Sequence, residues 1–94
     1  MSESELSDEI LTDISFVLIS KYRTRVMKAL NGGIKIPSQL ARECDILTNH
    51  ISLTLKQLMG HDLVECINPE ARKGRLYRLT EKGEKVSENI ETIE

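Results

Sequence analysis

Aromatic residues are scarce in this sequence, at 3% of the chain, and tryptophan is absent. The three aromatic side chains, Phe16, Tyr22 and Tyr77, are too few for the base-stacking platform of single-strand nucleic-acid binders. No hydrophobic run approaches the roughly 18 residues of a membrane span, and the acidic start MSESELSDE has no apolar signal core. The sequence therefore predicts a cytoplasmic protein without a membrane partner.

The sequence also has only two cysteines and no recognisable phosphate-binding loop or catalytic grouping. Cys44 and Cys66 lie 22 positions apart, with no CxxC or HxxxH pattern near them, so we expect reduced thiols, no metal centre and no cofactor. Gly32-Gly33 lacks the lysine and serine of a Walker phosphate loop. No Ser/His/Asp or Cys/His arrangement suggests a nucleophile. These absences argue against an enzyme.

Charge is unevenly distributed along the chain. The formal net charge is −2 and both ends are acidic, but residues 14–79 carry eleven cations against five acids. Five cations fall in the segment ARKGRLYRLTEKG, which contains a single acid, Glu81. Although the total charge argues against a polyanionic partner, this distribution favours one.

Apolar residues recur with helical spacing in the first two thirds of the chain. The predicted helices run from Ser7 to Ser20, from Lys21 to about Asn31, from Pro37 to about Cys44, and from about Thr48 to Met59. Ser20 is a suitable N-cap for the second helix, and proline is well placed at the first position of the third. Thr48 is favoured as the N-cap of the fourth helix, with Asp45 and Leu47 as alternatives.

After Gly60 the apolar period changes from 3.6 to 2, which predicts strands. LVECI and RLYRL, joined by the loop NPEARKG, are typical of a β-hairpin with a basic tip. Thr80 can then cap a last helix. The predicted fold is mainly α with one hairpin, an α+β class. It forms one domain over residues 1–94: an N-terminal helix (1–19), a core with the hairpin (20–80) and a C-terminal helix (81–94).

The third and fourth helices have the pattern of a helix-turn-helix. Ala41 is small enough for a close crossing, and apolar residues on both sides of the turn can share one core. The remaining face of the fourth helix can lie in a major groove and hydrogen-bond to base edges. The candidate DNA-binding residues are Thr48, Asn49, His50, Ser52, Leu53 and Lys56 on that helix, Ser38 and Gln39 at the start of the third helix, and Arg72, Lys73 and Arg75 at the hairpin tip.

The run VMKALNGG…IPSQLA…ISLTLKQLMGHDLVECINPEARKGRLYRLTEKG resembles the winged helix-turn-helix transcription regulators, and most nearly the small MarR/ArsR-like type abundant in archaea. The resemblance covers roughly residues 14–86, and its most specific part is the ending GRLYRLTEKG. It implies a regulator of double-stranded DNA whose hairpin, the wing, lies beside the recognition helix. Gly83 is costly in a helix, so we expect close packing there that a Cβ would block.

Three positions depart from the family pattern. Asp45 stands in the helix-turn-helix turn, where glycine is usual, and we expect the turn to survive because aspartate tolerates the left-handed conformation better than most residues. Asp62 stands in the loop before the wing, where glycine is also usual, with Gly60 two residues earlier. Leu53 stands where arginine is frequent, which removes the usual bidentate reader of guanine. Leu53 can instead touch a thymine methyl.

Two apolar stripes lie outside the minimal winged-helix core. They comprise Leu6, Ile10, Ile14 and Val17 near the N-terminus, and Val86, Ile90 and Ile93 near the C-terminus. The stripes either pack on their own domain or form a homodimer interface, and we favour the homodimer, as the resemblance implies, with two recognition helices about one DNA turn apart. The alternative function is a protein-interaction adaptor, favoured by the net negative charge and by Leu53 but not by the clustered wing cations.

Overall fold

The computed structural model describes residues 7–93, with only the backbone of Thr92 and Ile93. Within that range the chain forms five helices and one antiparallel hairpin. The helices are α1 (Asp8–Leu18), α2 (Lys21–Leu30), α3 (Pro37–Cys44), α4 (Thr48–Gly60) and α5 (Glu81–Ile93), and the strands β1 (Val64–Cys66) and β2 (Tyr77–Leu79) lie between α4 and α5. This order confirms the predicted α+β class.

Short polar side chains set the start of three helices. Ser7 Oγ accepts from Ile10 N and Ser20 Oγ from Arg23 N, both at 3.2 Å, and Thr80 Oγ1 accepts from Gly83 N at 2.9 Å. Each bond satisfies a backbone donor that has no partner within its helix. For α4 the favoured N-cap was wrong, because Thr48 is already helical and Leu47 is the N-cap, without a side-chain bond.

Two aspartates adopt the left-handed backbone conformation where the chain leaves a helix. Asp45 has φ 57° between α3 and α4, and Asp62 has φ 60° between α4 and β1. After Asp45, Ile46 N donates to Ala41 O at 3.0 Å, which closes the end of α3. Asp45 thus preserves the helix-turn-helix turn, as expected. Asp62 adopts the same conformation before the wing, which was not anticipated from the sequence.

The hairpin is shorter in strand residues than predicted but has additional support. Its register pairs Val64 with Leu79, Glu65 with Arg78 and Cys66 with Tyr77. On the other side of β2, Lys35 and Tyr77 exchange two backbone hydrogen bonds of 3.1 and 2.9 Å. The segment between α2 and α3 therefore pairs with β2 by an antiparallel bridge, which anchors the wing to the helix-turn-helix.

The predicted apolar stripes are buried inside the chain. Ile14 of α1 is 8% exposed, and Val17, Val86 and Ile90 are fully buried in one core cluster with residues of α2, α3 and α4. Ile10 belongs to the same cluster. These five residues were expected to form a dimer interface, but α1 and α5 bury them in the core of their own chain instead. Leu6 and the side chain of Ile93 lie outside the described residues.

A polar network around the buried Asp13 links α1 to α5 and to the end of α4. Asp13 is 3% exposed, and its Oδ1 is hydrogen-bonded to His61 Nδ1 at 2.9 Å. Its other oxygen forms an ion pair with Lys82 Nζ at 3.0 Å. Lys82 also donates to Glu9, and this bond, with Asp13 beside it, raises the pKa of Lys82. The ring of His61 also stacks on Phe16, with ring centroids 3.6 Å apart.

The described helices include none with the length and apolar character needed to cross a membrane.

Gly83 packs so closely against the backbone of Leu63 that a side chain would clash with it. A Cβ there would overlap the carbonyl oxygen of Leu63, and that oxygen is held in place by Thr80 N at 3.0 Å. We expect Gly83→Ala to lower the free energy of unfolding by about 2 kcal/mol or more, because a rigid backbone clash cannot be relieved by a rotamer change. Thermal unfolding by circular dichroism should show a melting temperature lower by roughly 10 °C.

The matched control for Gly83→Ala is Gly60→Ala. Gly60 ends α4 in open space, with no heavy atom within 4 Å of a Cβ. Alanine there should leave stability unchanged or raise it by up to about 1 kcal/mol. Equal effects of the two substitutions would contradict the close approach of α5 to Leu63.

Candidate nucleic-acid interface

An open depression with a volume of about 420 Å³, here called the basic depression, lies where α3, α4 and the wing meet. Six of the predicted DNA-binding residues line it together. They are Ser38 from α3, Thr48 and Ser52 from α4, and Arg72, Lys73 and Arg75 from the wing; Ile36, Pro37, Gly74 and Tyr77 complete the lining. The structure thus brings together residues from three separate segments of the chain.

Two helices begin at the basic depression. Pro37 is the first residue of α3 and Thr48 the first residue of α4. The first turn of a helix carries partial positive charge on its free N–H groups. Neither N-cap, Ile36 or Leu47, supplies a side-chain acceptor. The depression therefore combines two helix N-termini with the cations of the wing, an arrangement suited to anionic oxygens.

The wing loop is held in shape by Asn68. Its Oδ1 accepts from Leu76 N at 2.7 Å, and its Nδ2 donates to Gly74 O at 3.2 Å. The loop is closed further by Ala71 N donating to Asn68 O at 3.0 Å. Gly74 has φ 67°, a conformation that favours glycine. Sequence reasoning identified Asn68 only as part of a turn and missed its role as an organiser of the basic tip.

The wing cations fall into two groups. Arg72 and Lys73 are exposed, and within residues 7–93 neither forms an ion pair or a hydrogen bond. Arg75 uses Nε to bond Ala71 O at 2.7 Å, which leaves its terminal N–H groups available. Arg78 differs, because its Nε pairs with Glu65 across the hairpin at 2.7 Å and it lies outside the basic depression. The free charge is therefore concentrated at the tip.

A second row of α4 residues faces outward beside the basic depression. Asn49, Leu53 and Lys56 are exposed and lie at helical spacing of four and three residues. They do not line the depression, so the outer surface of α4 has one row toward the wing and one away from it. Leu53 is 55% exposed.

Two candidate residues are engaged elsewhere. His50 is half-buried, and its ring packs edgewise against Tyr22 with centroids 5.4 Å apart. Gln39 donates from Nε2 to Glu43 Oε2 at 3.3 Å. Neither lines the basic depression, so both are peripheral in this structure. The contact of Gln39 is with a neighbour one helical turn away, whereas the contact of His50 is with a residue of another helix, which linear spacing does not reveal.

Two ionisable groups of α3, Glu43 and Cys44, have pKa values shifted by their surroundings. The hydrogen bond from Lys35 holds the pKa of Glu43 below its ordinary value. Burial raises the pKa of the Cys44 thiol, which lies 3.5 Å from Arg25 O. Across residues 7–93, no three His, Cys, Asp or Glu side chains are grouped so as to hold a metal ion.

Asn68→Ala should loosen the wing tip without unfolding the protein. The substitution removes the acceptor for Leu76 N and the donor to Gly74 O, so the Leu76 amide should exchange with solvent at least about tenfold faster, as expected for the loss of one bond of ~1.4 kcal/mol. Hydrogen exchange followed by NMR measures this. Asn68→Asp keeps an acceptor for Leu76 and should exchange at a rate nearer to wild type; an unchanged rate in Asn68→Ala would contradict the assigned role.

Several solved structures have the same architecture as this chain. A MarR family transcriptional regulator from Silicibacter pomeroyi is 25% identical with a TM-score of 0.71, over 89% of this chain and 58% of that one. The homodimeric winged helix-turn-helix DNA-binding domain Mb0332 from Mycobacterium bovis, described as a possible ArsR-family regulator, is 20% identical with a TM-score of 0.66, over 97% and 86%. NadR in complex with 4-hydroxyphenylacetate is 20% identical with a TM-score of 0.69, over 98% and 77%.

These likenesses confirm the winged helix-turn-helix fold. The two organisms named above are bacteria, so the expected archaeal type finds no support in them. No curated protein sequence matches the chain significantly. A family model, in contrast, matches residues 17–94, which is most of the chain. The chain therefore belongs to the HxlR-like helix-turn-helix family.

Proposed function

We propose that this protein regulates transcription in the cytoplasm by binding double-stranded DNA sequence-specifically, with α4 in the major groove and the wing on the backbone or in the minor groove. The observation that supports this most strongly is the basic depression. It gathers hydroxyl groups, two helix N-termini and three cations from separate segments on one surface. Phosphate groups match all three kinds of donor.

The dimensions of α4 suit this role. A helix with its side chains is about 10–12 Å across, and the major groove of B-DNA is about 12 Å wide. The exposed face of α4 carries short side chains, among them Thr48, Asn49 and Ser52. Short side chains let the helix backbone approach the base edges, while Lys56 can reach a phosphate at the rim of the groove.

The acidic total charge does not oppose the proposal. Glu9 and Asp13 are paired with Lys82 on the contact between α1 and α5. Neither acid lines the basic depression. At physiological salt, charges farther apart than about 8 Å are largely screened from each other, so a phosphate at the wing tip responds mainly to the local cations.

The experiment is a titration of a labelled random-sequence duplex, followed by fluorescence anisotropy across salt concentrations. The wild-type chain should show a log–log salt slope of roughly −4 to −8, corresponding to some 5–9 neutralised phosphates. Arg72→Ala/Lys73→Ala should reduce the magnitude of that slope by about 2, because each lost phosphate contact removes ~0.9. A duplex from the upstream region of the gene should bind more tightly than the random one.

Arg78→Ala is the matched control, since Arg78 lies on the same hairpin but is paired with Glu65. It should change the slope by less than about 0.5. A slope that the double substitution leaves unchanged would count against phosphate binding by the wing. Failure to bind either duplex at low salt would instead favour the protein-adaptor function.

We further propose that the regulator is a homodimer and that the exposed face of α1 forms part of its interface. Leu11 is 48% exposed, Leu18 38% and Ile19 80%, and Leu11 and Leu18 lie two turns apart on one side of the helix. Large apolar side chains clustered on a surface mark contact sites. The M. bovis neighbour is homodimeric, and a second copy would place two α4 helices on successive turns of a duplex.

Leu11→Asp/Leu18→Asp should convert the dimer to a monomer, because two buried charges on each side of a symmetric interface would lack partners. Sedimentation equilibrium would measure the mass, expected near twice 10.7 kDa for wild type and near 10.7 kDa for the variant. Ile34→Asp is the control, since Ile34 is also exposed, at 49%, but lies after α2. A variant that remains dimeric would rule out this face.

A further inference from the structure

We propose that Leu53 selects bases by packing against the C5-methyl group of a thymine, and that Asn49 reads an adenine about two base steps away. The protein would then recognise a half-site with adenine and thymine at the positions that face α4. This inference rests on the proposed DNA binding and adds the chemical character of the site. It follows from the exposed row of α4, from the groups available on the groove floor and from the spacing of the two residues.

Leu53 is exposed without serving the chain's own core. Its side chain is 55% exposed, although α4 already buries Ile51, Leu55 and Leu58 on the opposite side. It stands between the polar Asn49 and the cationic Lys56 in the outward row. A large apolar side chain in the middle of a polar row is therefore available for a contact outside the chain.

The major groove offers few apolar partners. The groove edges of guanine, cytosine and adenine present hydrogen-bond donors and acceptors, whereas thymine also presents a methyl group. Placing Leu53 against a polar edge would remove water from that edge without replacing its hydrogen bonds, which is unfavourable. Placing it against the methyl group buries apolar surface on both sides. Among the four base pairs, the leucine therefore discriminates in favour of thymine.

Asn49 supplies the matching polar contact. Its side chain lies on the same outward row, one turn before Leu53. Asn49 Oδ1 accepts from His50 N at 3.0 Å, which holds the amide in place. The Nδ2 group remains a donor, and the oxygen has a second lone pair. An amide with both functions available matches the N7 acceptor and N6 donor of adenine.

The spacing of the two residues agrees with adjacent positions in one half-site. Four residues of α-helix rise about 6 Å, and successive bases on one strand lie about 3.4 Å apart. Asn49 and Leu53 therefore lie roughly two base steps apart when α4 follows the groove. α4 contains no arginine, the side chain best suited to guanine, and its one lysine, Lys56, is assigned above to a phosphate.

The test starts from selection of bound sequences out of a pool of random 20-base-pair duplexes by the full chain. In the selected duplex, each thymine is then replaced in turn by uracil, which lacks only the C5-methyl group. For wild type, one thymine per half-site should lose about fourfold in affinity on replacement, the equivalent of one buried methyl group. For Leu53→Ala the same replacement should cost less than about 1.5-fold, because the partner of the methyl group is gone.

Two further variants complete the design. Ile34→Ala removes an exposed apolar side chain that is not on α4, and it should keep the full fourfold sensitivity to uracil. Leu53→Arg should shift the selected base at that position from thymine to guanine, since arginine pairs with guanine O6 and N7. Because Leu53 is exposed, both of its variants should melt at the wild-type temperature.

Equal sensitivity to uracil in wild type and Leu53→Ala would overturn the inference. So would a selected site whose critical positions are all guanine or cytosine. If selection yields no preferred sequence while salt-dependent binding persists, the inference fails and DNA binding stands. If no duplex binds at low salt, the proposed function and the inference fail together.

Discussion

The position of the wing beside α4 depends on a set of hydrogen bonds around Thr80. Its N–H donates to Leu63 O at 3.0 Å, its hydroxyl donates to Asp62 O at 2.6 Å, and the same hydroxyl accepts from Gly83 N. These bonds tie the end of β2 and the start of α5 to the segment that leaves α4. Only a glycine at position 83 lets α5 approach this closely. These hydrogen bonds and the pairing of Lys35 with Tyr77 fix the hairpin relative to α4, which gives the basic depression its shape.

Charge is sorted within the molecule by pairing rather than by total amount. Glu9 and Asp13 of α1 are paired with Lys82, and Arg78 is paired with Glu65. The cations at the wing tip have no such partners within residues 7–93. The protein therefore presents a local positive surface despite a net charge of −2. The wing-tip cations therefore lack acidic partners within the described chain, and the phosphates of a bound duplex would supply them.

Local features were predictable because their physics is local. Ser20 and Thr80 cap the expected helices, and Asp45 adopts the left-handed turn of the helix-turn-helix. Contacts between distant segments were not predictable in the same way. Asp13 and His61 are 48 positions apart, so no periodicity links them, and the edge contact of Tyr22 with His50 depends on how two helices cross.

The sequence by itself determined the element order, the helix starts and the concentration of cations between the two strands, since these follow from spacing, capping and composition. The tertiary structure decided which apolar face of each end helix is used. Val17 and Val86 are buried, while Leu11 is left at the surface. An amphipathic pattern shows that a face needs a partner but not which one, because burial against the same chain and burial against a second copy remove the same apolar area from water.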